Sequence, residues 1–123
     1  MRSSRSARTN RPPSRRLGPD AERRVRRHYR LRGYRILDAN VHAGRFELDL
    51  VVRRGRRLVF CEVKARSGPG YGHPLEAVGP EKARRVAEAA VAWLARHPEL
   101  AELDVCLEAV AVRGRRIERA SFD

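Results

Sequence analysis

Apolar residues recur along this chain with two different periods. Between about Pro19 and Arg32, Ala21, Val25 and Tyr29 fall four residues apart, with Leu31 nearby. That spacing gives one apolar helix stripe. Pro19 suits a first helical turn and Gly33 a C-terminal stop, and the other face is nearly all arginine. From Pro80 to His97, Ala83, Val86, Ala87, Ala90 and Leu94 share a side, and Pro98 ends the run. Two helices are predicted. Elsewhere apolar positions alternate or run together. Tyr34 to Leu37, continuing to His42, reads as a short strand, and Phe46 to Val52 and Leu58 to Lys64 as better ones. Arg53 to Arg57 supplies the tight turn between the last two. Ser67 to Gly72 is glycine-rich and reads as a loop. Val105 to Val112 is a further strand, and Gly114 turns the chain into a last one around Ile117. The order is α-β-β-β-α-β-β, which predicts an α/β fold with helices packed on a sheet.

The central hairpin separates its side chains by parity. Leu48, Leu50, Val52, Val59, Cys61 and Val63 form an apolar face expected to pack on a helix. The opposite face carries Glu47, Asp49 and Val51 on one strand and Leu58, Phe60, Glu62 and Lys64 on the other. Its apolar residues lie near the turn and its charges at the far end. With Gly55-Arg56 as a two-residue loop, Arg54 faces Arg57, Asp49 faces Glu62, and Glu47 faces Lys64. Directly opposed Cβ atoms lie about 4.5–5.5 Å apart. Two carboxylates so placed repel one another unless a cation lies between them, and oxygen-only ligands suit Mg²⁺ or Mn²⁺. A solvated outer face with a plain Glu47–Lys64 ion pair fits the same spacing, and both readings stand.

Charge alters the picture at two positions. The 123 residues include 28 Lys and Arg against 15 Asp and Glu, a net +13. Lysine occurs only at Lys64 and Lys82, so the other 26 basic residues are arginine. A guanidinium is planar and stays protonated, whereas an ammonium is a compact, rotatable charge that can lose a proton. A lysine two residues past Glu62 in so arginine-rich a chain marks a place where steering water or holding a phosphate would have a use. Residues 1–16 hold six arginines and no acid. They read as a disordered basic arm, with 17–123 as the folded domain. The balance predicts a polyanionic partner, nucleic acid before acidic membrane; well-solvated charge without a partner is the bland alternative.

No apolar run approaches the roughly 20 residues of a membrane helix. The N-terminus lacks a secretory h-region, so a cytoplasmic protein without membrane association is expected. Cys61 and Cys106 form no Cys-x-x-Cys pair and are expected to be buried free thiols. The four histidines show no paired metal spacing. Trp93 reads as core or interface.

Asp49, a dozen residues, then Glu62-Val63-Lys64 resembles the signature of restriction-endonuclease-like nucleases. Arg32 to Leu37 with Asn40, Glu47 to Leu50, Leu58 to Arg66, and Gly72 to Val78 with Lys82 together resemble the bacterial YraN family of predicted endonucleases. The likeness covers roughly Gly18 to Phe122. It implies a restriction-endonuclease-like core with a mixed central sheet flanked by helices, similar to archaeal Holliday-junction resolvases. It implies metal-dependent hydrolysis of DNA phosphodiester bonds, with branched or damaged DNA as candidate substrates. In that scheme Asp49, Glu62 and the Val63 carbonyl hold Mg²⁺ or Mn²⁺, and Lys64 orients water or supports the oxyanion. Ala21-Glu22 stands where the family has Gly-Glu, so Glu22 resembles an extra acid beside the metal; an N-terminal acid on the helix dipole is the alternative. Glu47, Arg66, Tyr71 and Lys82 are the remaining candidates for nucleic-acid contact, with a solvated lysine the alternative for Lys82. Two departures are visible. Phe46 replaces a usual Gly, and Cys106-Leu107-Glu108 replaces a usual Arg-Phe-Asp outside the metal cluster. A homodimer would suit a four-way junction. Two other readings remain: a non-catalytic nucleic-acid-binding module on the same fold, and a protein-interaction role with the basic surface incidental.

Overall fold

The computed structural model describes residues 18–66 and 78–122. The basic arm and the Ser67–Gly72 loop lie outside them. Helix α1 spans Pro19–Leu31, strand β1 Arg35–Ala43, β2 Phe46–Arg54 and β3 Arg57–Arg66. Helix α2 spans Pro80–Ala95, a 3₁₀ turn Pro98–Leu100, β4 Asp104–Arg113 and β5 Arg116–Ser121. The predicted order therefore stands, with strands one to two residues longer at several ends.

Helix α1 starts on Pro19, with Asp20 and Glu22 in its first turn, where acids complement the helix dipole. It ends in a paired closing motif. Tyr34 N–H donates to the Tyr29 carbonyl and Gly33 N–H to the Arg30 carbonyl, both at 3.0 Å. Gly33 has φ 90, a left-handed conformation that glycine adopts without penalty. Tyr29 and Tyr34 meet edge to face at 5.3 Å, which seals the cap with an apolar contact. Leu31, expected beside the stripe, points outward and is 70% exposed.

The sheet order is β1-β2-β3-β4-β5. All neighbours are antiparallel except β3 and β4, which run parallel and are connected through α2. This is the mixed, helix-flanked sheet of a restriction-endonuclease-like α-β-β-β-α-β-β core. Val25 and Tyr29 of α1 pack on Leu50, Val52, Val59, Cys61, Val63, Val110 and Val112. Val86, Ala89, Ala90 and Trp93 of α2 pack on Val51, Leu58, Phe60 and Leu107. Covering both faces explains why β4 is buried without a break from Leu107 to Val112, apolar at every position but Glu108. Leu48, expected on the α1 face, belongs instead to the α2 cluster, where it packs with Ala43. Trp93 is core, as expected, and its Nε1 donates to Asp38 at 3.0 Å. Cys61 is buried, whereas Cys106 is only half-buried, a correction to the expectation for that thiol.

One charged group interrupts the α1 layer. Glu108, 3% exposed, accepts from Tyr29 Oη at 2.7 Å, from Arg57 Nη2 at 3.0 Å, and from Arg119 Nε and Nη2 at 3.0 and 3.2 Å. Cys61 Sγ in turn donates to Tyr29 Oη at 3.2 Å. Burial alone would raise this carboxyl, but the hydrogen bonds from Arg119 and Tyr29 outweigh it and hold Glu108 below its ordinary 4.5. Breaking such a buried set from one side leaves the remaining charges uncompensated. Glu108→Gln should therefore cost about 3 kcal/mol of unfolding free energy at pH 7, measured in urea. A lowered pKa makes this contribution present above the ordinary carboxylate range and lost as pH falls through the folded value. The gap between wild type and variant should accordingly narrow in acid.

Candidate functional site

The sheet is split at one end. Strands β2 and β3 pair from Arg54↔Arg57 to Leu50↔Cys61 and no further. Beyond that point β3 continues on β4, with Val63↔Val110 and Lys64↔Ala111. Strand β2 continues on β1, with Val41↔Leu48 and His42↔Glu47. The register deduced from the Gly55 turn is therefore correct up to Leu50. Asp49 with Glu62 and Glu47 with Lys64 lie past the last paired residues, where the strands part. A side chain fills the breach. Asp49 Oδ2 accepts the Val63 N–H at 2.7 Å, taking a backbone donor that β2 no longer meets.

Glu62 and Lys64 share parity with Leu58 and Phe60, the face covered by α2. Pro80 at the first helical position and Gly79 as N-cap start α2 there, which puts Lys82 in its first turn. Glu62 is 7% exposed, and its Oε2 lies 3.2 Å from Lys82 Nζ and 3.8 Å from Lys64 Nζ. Both lysines of the chain thus converge on one carboxylate oxygen. Their side chains are 23% and 24% exposed, so Lys82 is not a solvated surface lysine. Beside them Asp49 is pushed up to about 7. Burial is the main cause and the Glu62 charge the next; Glu47 adds to the push, while the Val63 N–H and Lys64 oppose it.

Comparison with known proteins places this arrangement in a family. Residues 21–116 match the model of uncharacterised protein family UPF0102. The UPF0102 protein of Frankia casuarinae is 48% identical over 87 residues, 71% of this chain and 74% of its own. That of Halorhodospira halophila is 42% identical over 97 residues, 79% and 80% of the two chains. The chain belongs to the UPF0102 family. The family is the YraN group that the motifs resemble. The matched UPF0102 span contains Glu22, Asp49, Glu62, Lys64, Lys82 and Glu108.

Other positions singled out in this UPF0102 sequence fall as follows. Glu22 occupies the first turn of α1, one residue round from the packed Ala21. Among the described residues no three His, Cys, Asp or Glu side chains gather around one point, so Glu22 does not complete a cluster with Asp49 and Glu62. Its placement fits the helix-dipole alternative. Glu47 lies 3.9 Å from His42 Nδ1, its neighbour across the β1–β2 ladder. Arg66 is the last residue of β3, and its backbone pairs with Arg113. Tyr71 lies outside the described residues. Two features escaped the sequence reading: the Lys82–Glu62 contact and the Glu108 cluster. An acid inside the apolar run from Val105 to Val112 was the signal for the latter, because a charge buried on a doubly covered strand needs partners.

The half-buried Asp49 carboxylate predicts a stability signature. Its folded pKa is raised, so the unfolded chain ionises first and stability falls as pH rises from about 4 to about 7. Asp49→Asn keeps an acceptor for Val63 N–H and removes the charge. In chelator-containing buffer at pH 8 it should unfold at higher urea, by about 1–3 kcal/mol, and the gain should vanish near pH 4. Equal stability at both pH values would show that Asp49 bears no desolvation cost.

Proposed function

We propose that this UPF0102 protein is a metal-dependent nuclease that hydrolyses DNA phosphodiester bonds at the parted end of β2 and β3. One observation carries the reading: both lysines of an arginine-rich chain meet the buried Glu62 carboxylate beside a second, half-buried carboxylate, Asp49. The donor set suits a divalent cation. Two carboxylates whose charges act on each other would accept one readily, and all their ligating atoms are oxygen, which suits Mg²⁺ or Mn²⁺. Asp49, Glu62 and the Val63 carbonyl would hold the ion. When bound, it would lower the pKa of water and neutralise charge on the phosphate.

The chain's own groups have separate tasks. The Val63 N–H fixes the Asp49 carboxylate through the 2.7 Å hydrogen bond. Lys82 orients Glu62 from the α2 side and acts as a positioning residue. Lys64, with three rotatable donors, steers the attacking water or supports charge on a non-bridging phosphate oxygen. Arginine elsewhere supplies backbone affinity, since phosphate contacts dominate nucleic-acid binding.

A second reading is favoured by one specific observation. Glu62 already has two ammonium groups within 3.8 Å, a compensation that stabilises the carboxylate without a metal. That fits a nucleic-acid-binding module on a nuclease fold, without catalysis.

Cleavage of branched, single-stranded and duplex DNA with Mg²⁺ or Mn²⁺ separates the two. The nuclease reading expects Asp49→Ala and Lys64→Ala to lower the rate roughly 100-fold or more while binding changes little. Salt-sensitive binding of all three substrates without cleavage would leave the binding module. Cleavage indifferent to Asp49→Ala would place the chemistry elsewhere.

A further inference from the structure

On the sheet face opposite Glu62 and Lys64, a cleft of about 510 Å³ runs between α1 and the β4–β5 turn. Arg24, Arg27 and Arg32 line it from the helix and Arg115 from the turn, with His28 and Asp20 between them. Four guanidinium groups therefore meet one carboxylate, and Asp20 is already engaged with Arg23 at 3.6 Å. Arg32 is held in place by donating to the His28 carbonyl at 3.0 Å.

Two polar atoms of residues lining this cleft lack a hydrogen-bond partner. Arg24 Nη2 and His28 Nε2 are buried and have no hydrogen-bond partner among the described residues. Buried polar groups are ordinarily paired, and leaving one unpaired costs stability. His28 is pushed down to about 4, first by burial and then by the charges of Arg32 and Arg119. Glu108 opposes that push only in part. The cleft already disfavours one more positive charge, and an anion would relieve it.

One end of the cleft, at Arg115, stands at the end of the sheet that carries Lys64. Arg113 pairs with Arg66 on one side and with Arg116 on the other, so the β4–β5 turn stands at the end of the sheet that carries Lys64. Strands β3 and β5 are two spacings apart, about 10 Å. Arg24 to Arg32 spans about 12 Å of helix at 1.5 Å per residue. That length is about that of three to four base-pair rises of 3.4 Å along a duplex axis.

We propose that the Arg24, Arg27, Arg32 and Arg115 cleft binds consecutive backbone phosphates of the nucleic acid whose scissile bond lies at the Asp49–Glu62 corner. This rests on reading that corner as a nucleic-acid site, and it adds a second, sequence-independent hold on the same strand. Phosphate oxygens would accept from the guanidinium forks that line the cleft.

The test uses binding alone, with the acidic corner intact. Affinity of the full chain for a short labelled DNA duplex is measured across a salt series. Wild type is compared with the double variant Arg24→Gln, Arg27→Gln and with a charge-matched control, Arg45→Gln, Arg85→Gln. The control arginines lie on the α2 side and contact Glu88 and Glu81. Each lost phosphate contact reduces the slope of log K against log salt by about 0.9. The cleft pair is expected to lower it by about 2, and the control pair by less than half of that. Arg115→Gln, in an exposed turn, repeats the test without touching α1 and is expected to lower the slope by about 1. Titrating wild type with inorganic phosphate is expected to shift the His28 imidazole NMR signals. Equal slopes for cleft and control pairs, or for wild type and Arg115→Gln, overturn the cleft while leaving the Asp49–Glu62 reading intact. Failure of wild type to bind DNA at low salt overturns both.

Discussion

Everything near the candidate site depends on where β3 exchanges partners. A central strand must satisfy its backbone on both edges, yet β2 turns away after Leu50. The Val63 amide is then left facing a gap, and the Asp49 carboxylate closes it at 2.7 Å. That single bond explains several facts together. It draws a carboxylate into the sheet, where burial and Glu62 penalise its charge. The group that closes the gap is also the one whose pKa is raised to about 7.

The charged groups at this corner come from three elements, two of them a hairpin and the third reached across a crossover. β2 contributes Asp49, β3 contributes Glu62, Val63 and Lys64, and the first turn of α2 contributes Lys82. Parallel pairing of β3 and β4 requires a crossover, and α2 is part of it. The crossover returns a helix start to the face carrying Glu62. Pro80 and Gly79 fix that start, so Lys82 arrives beside the carboxylate as a consequence of topology rather than of local sequence.

Much of this was legible in the chain. Period-four and period-two patterns placed both helices and all five strands, and the Gly55 turn set the register through Leu50↔Cys61. Asp49, Glu62 and Lys64 stood out by spacing and by the scarcity of lysine. What escaped was tertiary. Lys82 carries no local mark of the residue it touches, since Glu62 lies 20 positions away across a crossover. Leu48 obeys strand parity up to the point where its strand leaves the ladder, and no pattern announces that departure. Glu22 drew attention because Ala21-Glu22 stands where the resembled family has Gly-Glu; in the structure it sits in the first turn of α1, where the helix dipole also favours an acid. Glu108 looked like a harmless departure from a familiar stretch. Its partners Tyr29, Arg57 and Arg119 belong to three other elements, and only assembly brings them together.

The Glu108 cluster also bears on the order in which the domain can assemble. Tyr29 and Glu108 are 79 residues apart in the chain, and Arg119 joins only when β5 has folded back on β4. Dehydrating the carboxylate before those donors arrive is unfavourable, so α1 gains nothing by docking early on an incomplete sheet. The hairpins of β1, β2 and β3 close short loops and have no such requirement. Seating of α1 is thereby tied to completion of the far edge, and the last strand of the chain acts as the latch for its first helix.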